Sequence, residues 1–74
     1  MTNKDKDIQL KVGDRIRQIR EKKNFTQAEL AEKGRLNRTF LIHIEKGRRN
    51  VSLKSLEKIL YGLDTSFGDF FKRI

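Results

Sequence analysis

The chain has 74 residues, the size of one small domain. It has no cysteine, which excludes disulfides and thiolate metal sites, and its single histidine cannot build a zinc site alone. A net charge of +8 favours a polyanionic partner, and no apolar run is long enough to cross a membrane. We therefore expect a soluble, cytoplasmic protein with no metal, no cofactor and no membrane partner.

The N-terminal part is predicted to be a loose tail followed by a helix. Residues 1–7 are polar and alternate in charge, so they offer little apolar surface to bury. The helix is predicted over 8–23, and Gly13 within it permits close packing against a neighbour. Apolar residues recur along this helix at a spacing that predicts one core-facing stripe: Ile8, Val12, Ile16 and Ile19.

Two short helices are predicted next, with almost no connector. Thr26 followed by Glu29 is a capping box, which predicts a helix that starts there and stops near Gly34. Asn37 is a good N-cap for the following helix, and Gly47 suits the left-handed position after its end. Two short helices joined in this way must cross steeply, which is the helix-turn-helix geometry.

The second of these helices divides into two faces. Leu41 and Ile44 fall together at helical spacing and are predicted to point inward. The opposite face combines polar, basic and apolar side chains that suit the major groove of DNA, where arginine bonds guanine and isoleucine contacts a thymine methyl. Its members are Arg38, Thr39, Ile42, His43 and Lys46.

Positive charge is concentrated around this helix. Residues 33–54 contain seven lysines and arginines against a single acid, Glu45. A basic surface alone is common among small soluble proteins, but this concentration favours nucleic acid over a generic solvated surface. The loop that follows the helix, Arg48 to Asn50, is either an ordinary polar connector or a phosphate-binding segment.

The C-terminal part is predicted to hold two more helices, which completes an all-α fold of five short helices. Ser52 caps a helix over 53–63, with Leu53 in its apolar stripe, and Ser66 with Asp69 opens a last helix to about Arg73. The final residues are unexpectedly apolar, and either close the core or form an exposed patch. We predict a patch that makes a homodimer, formed by Tyr61, Phe67, Phe70, Phe71 and Ile74.

From Val12 to Phe71 the chain resembles the phage-repressor (XRE-type) family of helix-turn-helix proteins. The runs LNRTF and IEKGRRN resemble, more closely, the controller proteins of restriction–modification systems. The resemblance implies that Arg20 pairs with Glu45. It also implies a set of DNA contacts: phosphate contacts from Thr26 and Gln27, and base contacts from Arg38, Thr39, Ile42 and His43.

Other DNA contacts are predicted from position. Arg49 and Asn50 follow the recognition helix and are expected at the DNA backbone, and Arg35 is expected to reach a phosphate from the turn. The turn itself departs from the family, which has an apolar residue and then glycine where this chain has Gly34 and then Arg35. Either Arg35 adopts positive φ, or the first of the two helices ends one residue early.

These features together predict a dimeric, sequence-specific regulator of transcription. Residues 8–74 would form a DNA-binding domain with C-terminal dimerisation helices, and its operator would be a pseudo-palindrome in double-stranded DNA. The sequence leaves activation and repression open, and an activator would add RNA polymerase as a partner. The alternative function is an antitoxin or another protein-interaction module. An enzyme is not expected, because His43 has no orienting partner in the sequence.

Overall fold

The computed structural model describes the backbone of residues 2–72 and 74 and the side chains of residues 7–72 and 74. Five α-helices account for its regular structure, and these residues contain no β-strand. The helices are α1 (Thr2–Lys22), α2 (Gln27–Gly34), α3 (Arg38–Glu45), α4 (Leu53–Leu63) and α5 (Phe67–Phe71). The predicted all-α class, with α2 and α3 as the helix-turn-helix, is confirmed.

Side-chain caps set the starts of the last four helices. At α2, Glu29 N donates to Thr26 Oγ1 at 3.0 Å and Thr26 N donates to Glu29 Oε1 at 2.8 Å, so the predicted capping box is present. Asn37, Ser52 and Ser66 each accept a hydrogen bond from the backbone N–H three residues further on. These caps satisfy N–H groups that have no partner inside a helix, which fixes where each helix begins.

The core draws side chains from every helix. α2 packs on α4, and α1 packs on α3. A Cβ on Gly13 would collide with the carbonyl oxygen of Ile44, so glycine at this position allows α1 to approach the end of α3, as predicted. The buried apolar residues are Val12, Ile16, Ile19, Leu30, Ala31, Leu41, Ile44, Leu56, Ile59, Leu60, Leu63 and Phe70.

The connection from α2 to α3 turns on Arg35. This residue adopts the left-handed conformation, with φ 56° and ψ 50°, and α2 ends at Gly34. A Cβ on Gly34 would lie 2.7 Å from the carbonyl oxygen of Lys58 in α4. The glycine is therefore required for the close approach of α2 to α4, and the left-handed position falls on the arginine that follows it.

Two predictions about the N-terminal part are wrong. α1 begins at Thr2, so residues 2–7 are helical rather than a loose tail, and Met1 lies outside the described residues. No glycine or proline precedes Gly13, and an existing helix extends readily through such residues. Ile8 was expected in the core, but it is 46% exposed and lies at the rim of a surface depression.

Three predictions about the C-terminal part also need correction. Phe70 is fully buried, so it is a core residue and cannot form a dimer contact of its own. Phe67 and Phe71 are four residues apart on the other side of α5, with ring centroids 6.4 Å apart, and both are exposed. Leu53 was expected in the core but is 76% exposed, at the first residue of α4. α5 ends at Phe71 rather than near Arg73, which is outside the described residues.

Candidate nucleic-acid interface

The two faces predicted for α3 are present. Leu41 and Ile44 are 0% and 1% exposed and point into the core. Arg38 and Thr39 are exposed at the start of the helix. The remaining members of the outer face follow along the helix: Ile42 and His43 are half-buried, and Lys46 is exposed just after the helix ends. The predicted base-contacting residues therefore share one surface.

Arg38 occupies an electrostatically unfavourable position. It is the first residue of α3, and the first turn of this helix contains no acidic residue. The N-terminal end of a helix carries partial positive charge, which disfavours a cation there by a few tenths of a kcal/mol to about 1 kcal/mol. Arg38 is therefore poorly suited to stabilising α3 and well suited to meeting an anionic or acceptor-rich ligand at its end.

The predicted pair of Arg20 and Glu45 is present and buried. Arg20 Nε donates to Glu45 Oε2 at 2.7 Å, and Arg20 Nη2 donates to Glu45 Oε1 at 3.0 Å. Arg20 Nη1 also donates to the carbonyl oxygen of Phe25 at 2.8 Å. One guanidinium thus joins α1, the turn before α2, and the end of α3, which fixes the recognition helix relative to the rest of the fold.

Gln27 takes part in the same network. Its Nε2 donates to Glu45 Oε1 at 3.1 Å, so the first residue of α2 is tied to the last residue of α3. The neighbouring Thr26 is exposed, and its side chain is engaged in the capping box. The family resemblance implied phosphate contacts for both residues, but nothing in the sequence indicated the contact between Gln27 and Glu45.

The loop after α3 is held at two points by side chains. The Cζ atom of Arg49 lies 5.2 Å from the ring centroid of Phe40, a cation–π contact. Asn50 Oδ1 accepts a hydrogen bond of 2.6 Å from Gln9 Nε2 in α1. Arg48, Arg49 and Asn50 are all exposed. The predicted phosphate-contacting side chains therefore belong to a loop with defined supports, and sequence reasoning missed both Phe40 and Gln9.

The surface charge of this region is more positive than its sequence suggests. Seven basic residues lie within 33–54, and Glu45 is the only acid there. The side chain of Glu45 is 2% exposed and its charge is paired with Arg20, so it does not offset the basic surface. Arg35 adds an exposed guanidinium at the turn between α2 and α3. This surface can bind an extended polyanion.

No group of histidine, cysteine or carboxylate side chains suited to holding a metal ion occurs among the described residues. None of the helices that the structure describes is long and apolar enough to cross a membrane.

Comparison with known proteins identifies the family. The helix-turn-helix family model matches residues 16–70. The control protein C.MunI of a Mycoplasma species is 39% identical over 92% of this chain and 93% of its own length. The control protein C.BamHI of Bacillus amyloliquefaciens is 48% identical over 80% of this chain and 70% of its own length.

Solved structures agree with these relatives. The restriction–modification controller protein C.AhdI from Aeromonas hydrophila superposes with a TM-score of 0.84 at 34% identity, over 88% of this chain and 98% of that one. Wild-type C.Esp1396I, another restriction–modification controller protein, superposes with a TM-score of 0.83 at 44% identity, over 86% and 82% of the two chains. The chain therefore belongs to the helix-turn-helix family, and its relatives within that family include the control proteins of restriction–modification systems.

Proposed function

We propose that this protein is a dimeric, sequence-specific regulator of transcription that controls a restriction–modification system by binding its own promoter. The observation that carries the proposal is the outer face of α3, which presents Arg38 and Thr39 to solvent among basic loops, while the one carboxylate within residues 33–54, Glu45, is buried. Similarity to C.MunI and C.BamHI supports the control function.

In the proposed complex, α3 enters the major groove. Arg38 and Thr39 contact base edges, Arg38 with the bidentate geometry that guanine O6 and N7 accept, and Ile42 and His43 support them. The buried pair that holds the end of α3 fixes the angle at which this face meets the bases.

The DNA backbone is bound from both sides of α3. Thr26 and Gln27 lie at the N-terminal end of α2, where helix polarity favours an anion. Arg35 approaches from the turn, and Arg49 and Asn50 from the loop after α3. These contacts position the protein and carry no sequence information by themselves.

We propose self-association through an apolar face made of Ile8, Leu53, Phe67 and Phe71, with Ile74 at its edge. All five are exposed, by 46%, 76%, 40%, 42% and 38%. Ile8, Leu53 and Phe71 line one depression of about 170 Å³, which also borders the loop after α3, so the proposed dimer and DNA surfaces adjoin there. A second copy would remove this apolar surface from water, and it would add stability to a small core. C.Esp1396I forms a tetramer on its natural 35 base-pair operator, which supports an assembly of several copies on DNA.

Tyr61 lies outside this apolar face. It is 80% exposed and lines other depressions, beside Lys33 and Asp64 or beside Arg35. The dimerisation role predicted for Tyr61 is therefore not part of the proposal.

The remaining features of the proposal follow from DNA binding. The protein acts in the cytoplasm, where its operator is, and has no enzymatic activity, since its one histidine lies on the proposed DNA face. If it activates at one of its sites, RNA polymerase is an additional partner.

A salt-titrated gel shift tests the proposed function, using the DNA upstream of this protein's own gene against scrambled competitor. We expect a discrete complex that survives competitor, with affinity that falls steeply as salt rises. If scrambled competitor removed all binding to the upstream DNA, the proposal would be overturned, because the basic surface would then attract DNA without sequence preference. The protein-interaction alternative would take first place.

A further inference from the structure

We infer that Gln9 of α1 is a positioning residue for DNA binding: it orients the side chain of Asn50 so that the amide nitrogen is offered to a phosphate. The inference rests on the proposed function and deepens it. Its basis is the hydrogen bond of 2.6 Å from Gln9 Nε2 to Asn50 Oδ1, which joins residues 41 positions apart in the chain.

The direction of this hydrogen bond determines the orientation of the Asn50 amide. An asparagine side chain carries an acceptor, Oδ1, and a two-hydrogen donor, Nδ2, on opposite arms of one planar group. A phosphate oxygen only accepts hydrogen bonds, so only Nδ2 can bind it. Because Gln9 donates to Oδ1, the acceptor arm faces α1 and the donor arm is left for the DNA backbone.

The location of Asn50 makes this orientation relevant. Asn50 is exposed, in the loop that directly follows α3, and the preceding Arg49 is itself held over the ring of Phe40. Gln9 is half-buried and belongs to α1, which packs on α3 and is joined to it by the Arg20 and Glu45 pair. The Gln9 amide is thus held by the same framework that holds the recognition helix, and it costs less to order than a free surface side chain.

Replacement of Gln9 by glutamate tests the inference directly. A glutamate carboxylate accepts and cannot donate, so Q9E makes Asn50 turn its Nδ2 toward α1 and present Oδ1 to the phosphate. We expect Q9E to weaken operator binding about tenfold, the effect of one hydrogen bond to a charged group. The control is Q18E, which makes the same change of charge in the same helix at an exposed glutamine bonded to Asp14. We expect Q18E to reduce affinity no more than threefold, as one added surface charge would.

A double-mutant cycle separates positioning from a general electrostatic or structural effect. In an Asn50→Ala background, Q9E should have the same small effect as Q18E, since no amide remains to be turned. Gln9→Ala should lower the affinity for operator but leave the slope of log affinity against log salt concentration unchanged, because a neutral donor displaces no counterion. Loss of an arginine contact would instead lower that slope by about 0.9. Thermal unfolding of each variant, measured alongside, tests whether a loss of affinity comes from unfolding of the protein.

An effect of Q9E equal to that of Q18E, or one that persists in full without Asn50, would overturn the inference. Wild-type protein that fails to bind its operator specifically would instead overturn the proposed function, so the two failures are distinguishable in the same experiment.

Discussion

The guanidinium of Arg20 and the carboxylate of Glu45 form a buried bidentate pair across the fold, with contacts of 2.7 and 3.0 Å. The two partners are not equivalent. The side chain of Glu45 is 2% exposed, whereas that of Arg20 is 11% exposed. Arg20 also donates a hydrogen bond of 2.8 Å to the carbonyl oxygen of Phe25 and lies 3.9 Å from a carboxylate oxygen of Glu21, an ion-pair contact. Among the described residues Glu45 has one other partner, the neutral Nε2 of Gln27 at 3.1 Å, so loss of the arginine leaves a buried carboxylate whose charge is uncompensated.

We expect Arg20→Met to lower the free energy of unfolding by about 3–5 kcal/mol, since it buries an uncompensated carboxylate. Glu45→Leu should be less damaging, because Arg20 keeps its contacts with Phe25 and Glu21. The double variant should be more stable than Arg20→Met alone. Urea unfolding at fixed protein concentration measures all three, and a double variant no more stable than the worse single variant would contradict the coupling.

Arg35 is expected to strengthen DNA binding and to lower the stability of the fold. Its φ of 56° is strained for a residue with a Cβ, so Arg35→Gly should raise the free energy of unfolding by roughly 0.5–1 kcal/mol, net of the greater freedom of glycine in the unfolded chain. The same variant should bind operator more weakly, with a salt slope smaller by about 0.9, because a phosphate contact is lost.

The control for Arg35 is Arg48→Gly. Arg48 is also exposed and basic but is not among the residues with positive φ. Arg48→Gly should therefore lower the free energy of unfolding, as glycine does at an ordinary loop position because it has more conformational freedom to lose on folding. Stabilisation by both substitutions would show that the gain at position 35 does not come from relief of backbone strain.

The proposed dimer surface predicts different effects at two exposed residues of α4. Leu53 is 76% exposed on the apolar face, and Tyr61 is 80% exposed outside it. Leu53→Glu should dissociate the dimer, and it should leave the protomer folded, since glutamate is favourable in the first turn of a helix. Tyr61→Glu should leave the dimer intact. Sedimentation velocity measures the oligomeric state of both variants. If Leu53→Glu still formed a dimer with unchanged self-association affinity, the interface would lie elsewhere.

Local patterns explain which parts of the fold were predictable. Each of Thr26, Asn37, Ser52 and Ser66 caps its helix through a hydrogen bond to a residue three positions away, so the sequence window contains the whole interaction. The starts of α2, α3, α4 and α5 were therefore predicted well, whereas that of α1 was not. The periodicity of α3 likewise separated the buried Leu41 from the outward Arg38.

The errors concern features set by the packing of whole helices. Hydrophobicity alone does not separate Phe70, which is buried, from Phe71, which is half-exposed, because the direction in which α5 docks decides between them. The contacts of Gln9 with Asn50 and of Phe40 with Arg49 join polar and aromatic residues from different segments, and no spacing in the sequence indicates them. The pair of Arg20 and Glu45 was predicted only through family resemblance.

Arg38 is expected to contribute to operator binding but not to the stability of the fold. Because it lies at the positive end of α3, Arg38→Ala should leave the free energy of unfolding unchanged or raise it by less than about 1 kcal/mol. The same variant should lose about 1–3 kcal/mol of operator binding and discriminate less at one base pair of each half-site.

Two further variants isolate the cause of the loss at Arg38. Arg38→Lys keeps the charge but not the bidentate geometry, so its salt slope should match the wild type while its preference for operator over scrambled DNA falls. Lys22→Ala removes one exposed charge at the end of α1, outside the proposed interface, and should leave that preference intact. If Arg38→Ala lowered affinity for operator and scrambled DNA equally, Arg38 would be a phosphate contact, and base recognition would rest with Thr39 and the residues that follow it on α3.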